Sequence, residues 1–412
     1  MAKIIPFSAV RPARDKVHLV ASRSYVSYTP EKLHDKLSNN PYTFIHIINP
    51  DFGTDDVTEP ASYDRFVKVK DRYRDFQKNG VLVKDQKPAL YIYRQEKRGH
   101  EYIGVICGVS IDDYLDGSIK VHEHTLTQRE EMFREYLDVT NFNAEPVLLT
   151  YPDSDDIEEI SKKYLEQRPE YDFTTTNEVR HSLWMIDNPE DIEAVEKGFA
   201  KISHLYIADG HHRSASSVLL GEKRRDEQNN PNIELLSDYF MACILPESRL
   251  QIYEFNRLVK DLGDHSPESF LEALSDSFTI HSLRTAHQPE RIHDFTLYLD
   301  GNWYLLQTKR EKIADSIIGR LDPQLISDLV LEPILGITNP KTDTRISFSG
   351  GKTDLDAIRD LVDKGDFAAA FILHPVTVSQ LKEVADNGLV MPPKSTWIEP
   401  KLRSGLTIFD LD

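Results

Sequence analysis

Cysteine is nearly absent from this chain: there are two in 412 residues. Cys107 and Cys243 each sit in an apolar, strand-like run, YIGVICGV and YFMACIL. Both are therefore expected as reduced, buried thiols, and two thiols cannot build a structural zinc site without histidines. No apolar run approaches the roughly 18 residues that a membrane-spanning helix needs. The opening MAKIIPFSAVRPARDKVHLV has only a short apolar step before Pro6. It lacks a signal-peptide core, so a cytoplasmic protein with no membrane partner is expected. Positive charge is in deficit, 49 Lys and Arg against 68 Asp and Glu, for a formal charge of −19. Such a chain repels a phosphate backbone, which disfavours nucleic acid as a partner but leaves room for a small anion held at one point. Low-complexity linkers and internal repeats are missing, and the 40% of apolar residues is spread along the chain, which excludes disorder.

Several motifs also fail. Gly350-Gly351-Lys352-Thr353 has the tail of a phosphate-binding loop, but Ile346 stands where its first glycine belongs. Gly104 and Gly108 fall within a strand pattern instead of at a strand-to-helix junction, so they are no dinucleotide fingerprint. The serine nucleophile elbow and the two-histidine zinc helix are absent as well.

What remains alternates between helix and strand patterns. TPEKLHDKLSN starts a helix at Thr29, and YTFIHIINP reads as a strand. Phe66, Val69, Tyr73 and Phe76 mark a helix stopped by Gly80, and PALYIYRQ with HEYIGVICGVSI predicts a hairpin. Further on, DYFMACILPESRLQIYEFNRLV predicts two strands around a turn, and FTLYLDGNWYLLQTK a hairpin turning at Asp300-Gly301. The alternation predicts an α/β, or mixed α+β, fold of mixed sheets and helices. The acidic YPDSDD segment and the polar stretch from Asp261 to Ser266 suggest three domains. They are an N-terminal α/β domain over 1–150, a central domain over 151–262 and a C-terminal α+β domain over 263–412.

Three constellations carry chemistry. In HLYIADGHHRSASSVLL an apolar strand runs into Asp209-Gly210-His211-His212-Arg213 and a small-residue helix opening at Ser214. A glycine at such a junction lets the first amides of the helix point at an anion, favoured also by the helix dipole. Arg213 adds a forked donor suited to phosphate oxygens, and Asp209 can hold Mg²⁺ or accept a proton. Second, Lys120-Val121-His122-Glu123-His124-Thr125, read as extended, puts His122 and His124 on one face and Glu123 on the other. Third, Met391-Pro392-Pro393-Lys394-Ser395-Thr396 runs on through Lys401 to Gly405, and its Lys394 can complete an anion site. His181 and Arg11 are weaker candidates for contact with substrate.

PFSAVRP, NNPYTFIHI, the HEHT segment, YIADGHHRSAS, LEPILGI and MPPKSTWIEPKLRSGL together resemble the family called domain of unknown function 1015. Ser22-Arg23-Ser24-Tyr25 departs from the Pro-Pro-Tyr-Asp run usual in that family. The DGHHR turn is also similar to that of the ParB and sulfiredoxin superfamily, which includes free-serine kinases. That second resemblance implies nucleotide phosphates on a helix N-terminus and a carboxylate base. Sulfinic acid reduction is not expected, because His211 replaces the cysteine that sulfiredoxin needs there.

The leading expectation is a small-molecule kinase that moves phosphate from ATP or ADP, with Mg²⁺, to a free hydroxyl, L-serine first. Glu123, Asp209 and His212 would be catalytic, with Asp209 on the metal. Gly210, His211, Arg213, Ser214 and Lys394 would hold the nucleotide, and His122, His124, Thr125, His181 and Arg11 the substrate. Two alternatives stay open: a metal-dependent hydrolase using His122, His124, His211 and His212, and a nucleotide-binding regulator without turnover. A homo-oligomer is compatible with either.

Overall fold

Leu90–Lys97 and His100–Ser110 pair antiparallel through the turn residues Arg98 and Gly99, both at positive φ (52° and 79°). This is the hairpin expected from the two β-branched and aromatic runs around the polar EKRG. It forms the middle of the first sheet in a computed structural model that describes residues 1–228, 230, 233–352 and 354–412. Thr353, the last residue of the failed phosphate loop, lies outside them. Among the described residues the sheet has nine strands. From one edge the order is Ile119–Lys120, Leu205–Asp209, Val147–Tyr151, Tyr239–Pro246, His100–Ser110, Leu90–Lys97, Arg180–Ile186 and Tyr171–Thr174. Ile4–Ile5 pairs beside His100–Ser110. Two pairings are parallel, Leu205–Asp209 with Ile119–Lys120 and Tyr239–Pro246 with Val147–Tyr151; the others are antiparallel. The central strands are buried on both faces, which explains their near-continuous apolar sequence.

The chain divides into two compact units, Met1–Leu250 with Pro400–Asp412, and Gln251–Glu399. This differs from the three domains expected. The cut after residue 150 would sever Val147–Tyr151 inside the sheet, and the cut after 262 falls within the second unit, beyond its strand Phe255–Val259. The acidic segment after Tyr151 opens a surface helix, Asp155–Leu165, instead of a linker. The second unit is built on a six-stranded antiparallel sheet in the order Phe278–Leu283, Asn302–Thr308, Asp294–Leu299, Ala369–Leu373, Phe255–Val259 and Ile346–Gly350. Phe270 and Leu274 cover one face, and Ile358 covers the other. The mixed α/β class therefore holds in the first unit, and the expected hairpin at Asp300-Gly301 holds in the second.

YTFIHIINP is not a strand. It forms a short helix, Ile45–Ile48, buried through Phe44, Ile45 and Ile47, with His46 Nε2 hydrogen-bonded to the Asn40 carbonyl at 3.1 Å. A short apolar run has no period to separate strand from buried helix, and here packing decided. Cys107 and Cys243 are free and buried, as expected. Among the described residues no helix is long and apolar enough to cross a membrane.

The C-terminal segment closes the first unit. Ser22 and Ser404 bridge, Val10 pairs with Ile408, and Phe409–Asp410 adds to Phe142–Asn143. Gly405, at φ 75°, is pressed so closely on Phe44 that a Cβ would lie 2.5 Å from the ring. Backbone strain and overpacking each cost about 1–3 kcal/mol. Gly405→Ala should therefore lower the unfolding free energy by about 2–4 kcal/mol. Urea denaturation followed by tryptophan fluorescence measures this, and an unchanged midpoint would mean that the segment is not packed this way.

Candidate functional site

The strand Leu205–Asp209 ends on a β-bulge between Ile207 and Asp209, which re-aims its last residue as the chain turns. Gly210 follows at φ 105°, ψ 29°, a conformation that disfavours any side chain, and the helix His211–Glu227 starts at once. Gly210 offers no side-chain cap, so the amides of His211, His212 and Arg213 have neither a helical partner nor a capping oxygen. The helix can lie tight against the sheet because its inner face is small: Ser214, Ala215, Ser217 and Gly221 are buried. The side chain of Arg213 folds back over the turn, 3.0 Å from where a Cβ on Gly210 would stand. Its Nη1 donates to Glu145 Oε1 at 2.5 Å and to the Pro146 carbonyl at 3.0 Å.

Asp209 is part-exposed and takes two cations on one oxygen. Its Oδ2 is 3.2 Å from Lys401 Nζ and 4.0 Å from Arg213 Nη2. Desolvation pushes the Asp209 carboxyl upward, but the charges of Lys401 and Arg213 outweigh it and hold the group below its ordinary value. Beside it, Glu123 Oε2 stands 3.3 Å from His211 Nδ1. Desolvation again works upward, yet the hydrogen bond with His211 and the neighbouring positive charge hold Glu123 at about 2. The His122 ring meets the His211 ring edge to face at 4.5 Å. Burial, helped by His211, pulls His122 down to about 3 and keeps it neutral.

The extended reading of HEHT is corrected. The strand ends at Lys120, the backbone bends at Glu123, and the alternation is lost. His122 turns into the protein, His124 is exposed and Thr125 is half-buried, so His122 and His124 do not share a face. The four-histidine metal set is not formed either. The three residues among those described whose ligand atoms converge are His122, Glu123 and His211. Of the histidine pair in the turn, His211 meets Glu123, while His212 is half-buried, its pKa lowered by desolvation and by Arg129. Ser214 is buried, and its hydroxyl donates to the His211 carbonyl at 3.0 Å.

Three further candidates have partners of their own. Arg11 is spent on structure, its Nε bonding Asp85 at 2.8 Å and its Nη1 bonding Glu170 at 2.9 Å. His181 is fully buried; Arg403 Nε donates to its Nε2 at 3.3 Å, and its Nδ1 pairs with the Tyr93 hydroxyl at 2.7 Å. Lys394 belongs to the second unit, with Nζ 5.3 Å from the Phe255 ring centre and its carbonyl accepting from Arg257 at 3.0 Å. Conversely, Lys401 and Glu145 received no role from sequence. Lys401 was visible as a charge near the C-terminus, but nothing local ties it to Asp209, 192 residues away. Ser404 completes this outer ring by donating to Glu145 Oε2 at 2.8 Å.

A family model described as "Protein of unknown function (DUF1015)" matches residues 4–324. No curated protein matches the sequence. Among solved structures, a mutant free serine kinase in complex with AMP is similar at 15% identity and a TM-score of 0.37, over 74% of this chain and 92% of that chain. The mutant kinase in complex with ADP gives 15% and 0.36, over 74% and 91%. A conserved hypothetical protein from Pyrococcus furiosus gives 16% and 0.32, over 74% and 95%. Scores this low carry no argument about function.

His181 yields a pH test. Desolvation, with the charge of Arg403, pulls its pKa from 6.5 to about 3. On acidification the unfolded chain binds this proton first, so stability is complete above the unfolded value and falls as pH drops toward the folded one. His181→Gln should flatten the stability slope between about pH 6.5 and about pH 4.5, measured by urea denaturation across that range. An unchanged slope would show that the ring is solvated.

Proposed function

The chain belongs to the DUF1015 family, whose description names no reaction, and from its site we propose a small-molecule kinase that transfers phosphate from ATP or ADP to a free hydroxyl. One observation carries this reading. Three helix-start amides without a capping side chain open beside a guanidinium that is already fixed over the same turn. Amides and a forked cation at one point suit a terminal phosphate.

The remaining residues fit phosphoryl transfer. Asp209, held anionic by Lys401 and Arg213, would hold Mg²⁺ at the site. Such an ion would neutralise charge on the phosphate oxygens. Glu123, fixed by His211, is the proton acceptor. The acceptor oxygen attacks the terminal phosphorus, the bond to the nucleotide's bridging oxygen breaks, and the hydroxyl proton passes to the Glu123–His211 pair. A carboxylate held at about 2 is a weak base. The loose transition state of phosphoryl transfer tolerates this, because positioning and charge supply most of the acceleration and the proton leaves late. L-serine is the first acceptor to test, on the resemblance of the DGHHR turn to free-serine kinases.

Phosphorus NMR of the protein with Mg²⁺, ATP or ADP and a pool of hydroxyl amino acids and small polyols should reveal a new phosphomonoester. Saturable nucleotide binding with no product would replace this reading with a regulator, and orthophosphate alone would replace it with a hydrolase. Glu123→Gln should lower kcat by about 10²–10⁴-fold, the usual worth of a positioned base. Asp209→Asn should abolish turnover with little change in stability; full retained activity would remove Asp209 from the mechanism. Gly210→Ala pushes Arg213 off the turn and should raise the nucleotide KM at least tenfold.

A further inference from the structure

His122 has no task in the scheme above. It is fully buried and both its ring nitrogens lack a hydrogen-bond partner. A buried polar group left unsatisfied costs about 1–3 kcal/mol, a penalty that an apolar side chain in the same place would avoid. The ring is nevertheless set against the His211 imidazole, and Glu123 approaches from the next position in the chain. One ligand atom from each of the three residues lies within 4.8 Å of the others, and His211 Nδ1 and Glu123 Oε2 stand at 3.3 Å.

Donors about 2.0–2.1 Å from a tetrahedral ion stand roughly 3.4 Å apart, so small side-chain rotations close this set. Two imidazoles and one carboxylate suit a borderline cation such as Zn²⁺, with a fourth position left for water. Mg²⁺ prefers an all-oxygen set and belongs with Asp209 and the phosphates. His124, the histidine that sequence spacing would add, is exposed and outside the cluster.

We propose that His122, Glu123 and His211 form a binding site for one divalent transition ion of the zinc class. Coordination occupies the carboxylate that takes the acceptor's proton, so ion binding and phosphate transfer exclude one another. This consequence rests on the proposed role of Glu123; the binding itself does not.

The full-length protein, stripped with chelator, is titrated with Co²⁺ and followed by its visible d–d absorption. One equivalent should give a saturating band that Zn²⁺ displaces. His122→Ala should weaken cobalt binding at least tenfold, and His124→Ala should leave it unchanged. Glu123→Gln, which alters a half-exposed side chain, should also weaken binding at least tenfold and covers the case in which His122→Ala fails to fold. Absence of a saturable band, or a band unchanged in Glu123→Gln, overturns the site. Stoichiometric Zn²⁺ should silence phosphate transfer, and transfer that persists with zinc bound overturns the exclusion. A cobalt band in a protein that makes no phosphomonoester keeps the metal site and sinks the kinase reading.

Discussion

The fold-back of Arg213 over Gly210 is the contact on which the site depends. The guanidinium lies 3.0 Å from where a Cβ on Gly210 would stand, so any side chain there would crowd it. At φ 105° the backbone also disfavours any side chain. Glu145 and the Pro146 carbonyl then fix the fork from the neighbouring strand connection. Strand end, turn and helix start are thereby tied together, with the guanidinium lying over the turn that precedes the uncapped amides. The register shift before Asp209 belongs to the same construction, since it breaks the regular pairing at the residue whose carboxylate meets Lys401 and Arg213.

The outer supports arrive from the far end of the chain. The run from Lys401 to Gly405 gives Lys401 to Asp209, Arg403 to His181 and Ser404 to Glu145. Lys401 and Ser404 of one short stretch thereby steady Asp209 and Glu145, the two carboxylates that approach Arg213. The close seat of Gly405 on Phe44 holds this stretch in register. The closing segment and the turn are therefore coupled: loosening one releases the counter-charges of the other. This also explains why the last residues of the chain return to the first unit instead of ending with the second.

Local pattern carried most of the elements and the heart of the site. β-Branched and aromatic runs around the polar EKRG gave away Leu90–Ser110, and apolar strand, glycine and small-residue helix gave away the DGHHR junction, because each signal is written in neighbouring residues. YTFIHIINP failed because a short apolar run has no period. HEHT failed because a bend at Glu123 breaks the alternation on which face assignments rest. The domain cuts failed because acidic composition marks an exposed helix as readily as a linker. Lys401 and Glu145 stayed hidden for another reason. Their roles exist only once segments distant in sequence are brought together, and no composition or spacing encodes that meeting.

The net charge of −19 and the proposed phosphate-binding turn are compatible because the local account differs from the global one. Around Gly210 two cations are already matched, Arg213 by Glu145 and Lys401 by Asp209. Such a site holds no strong positive field to draw polyanions, and the surrounding negative charge turns them away at long range. An anion small enough to reach the three amides competes for cations that are held in place and paid little reorganisation to be there. On the proposed function, selection for a small phosphate over a nucleic acid backbone would follow from this charge arrangement, before any contact with the rest of the ligand is made.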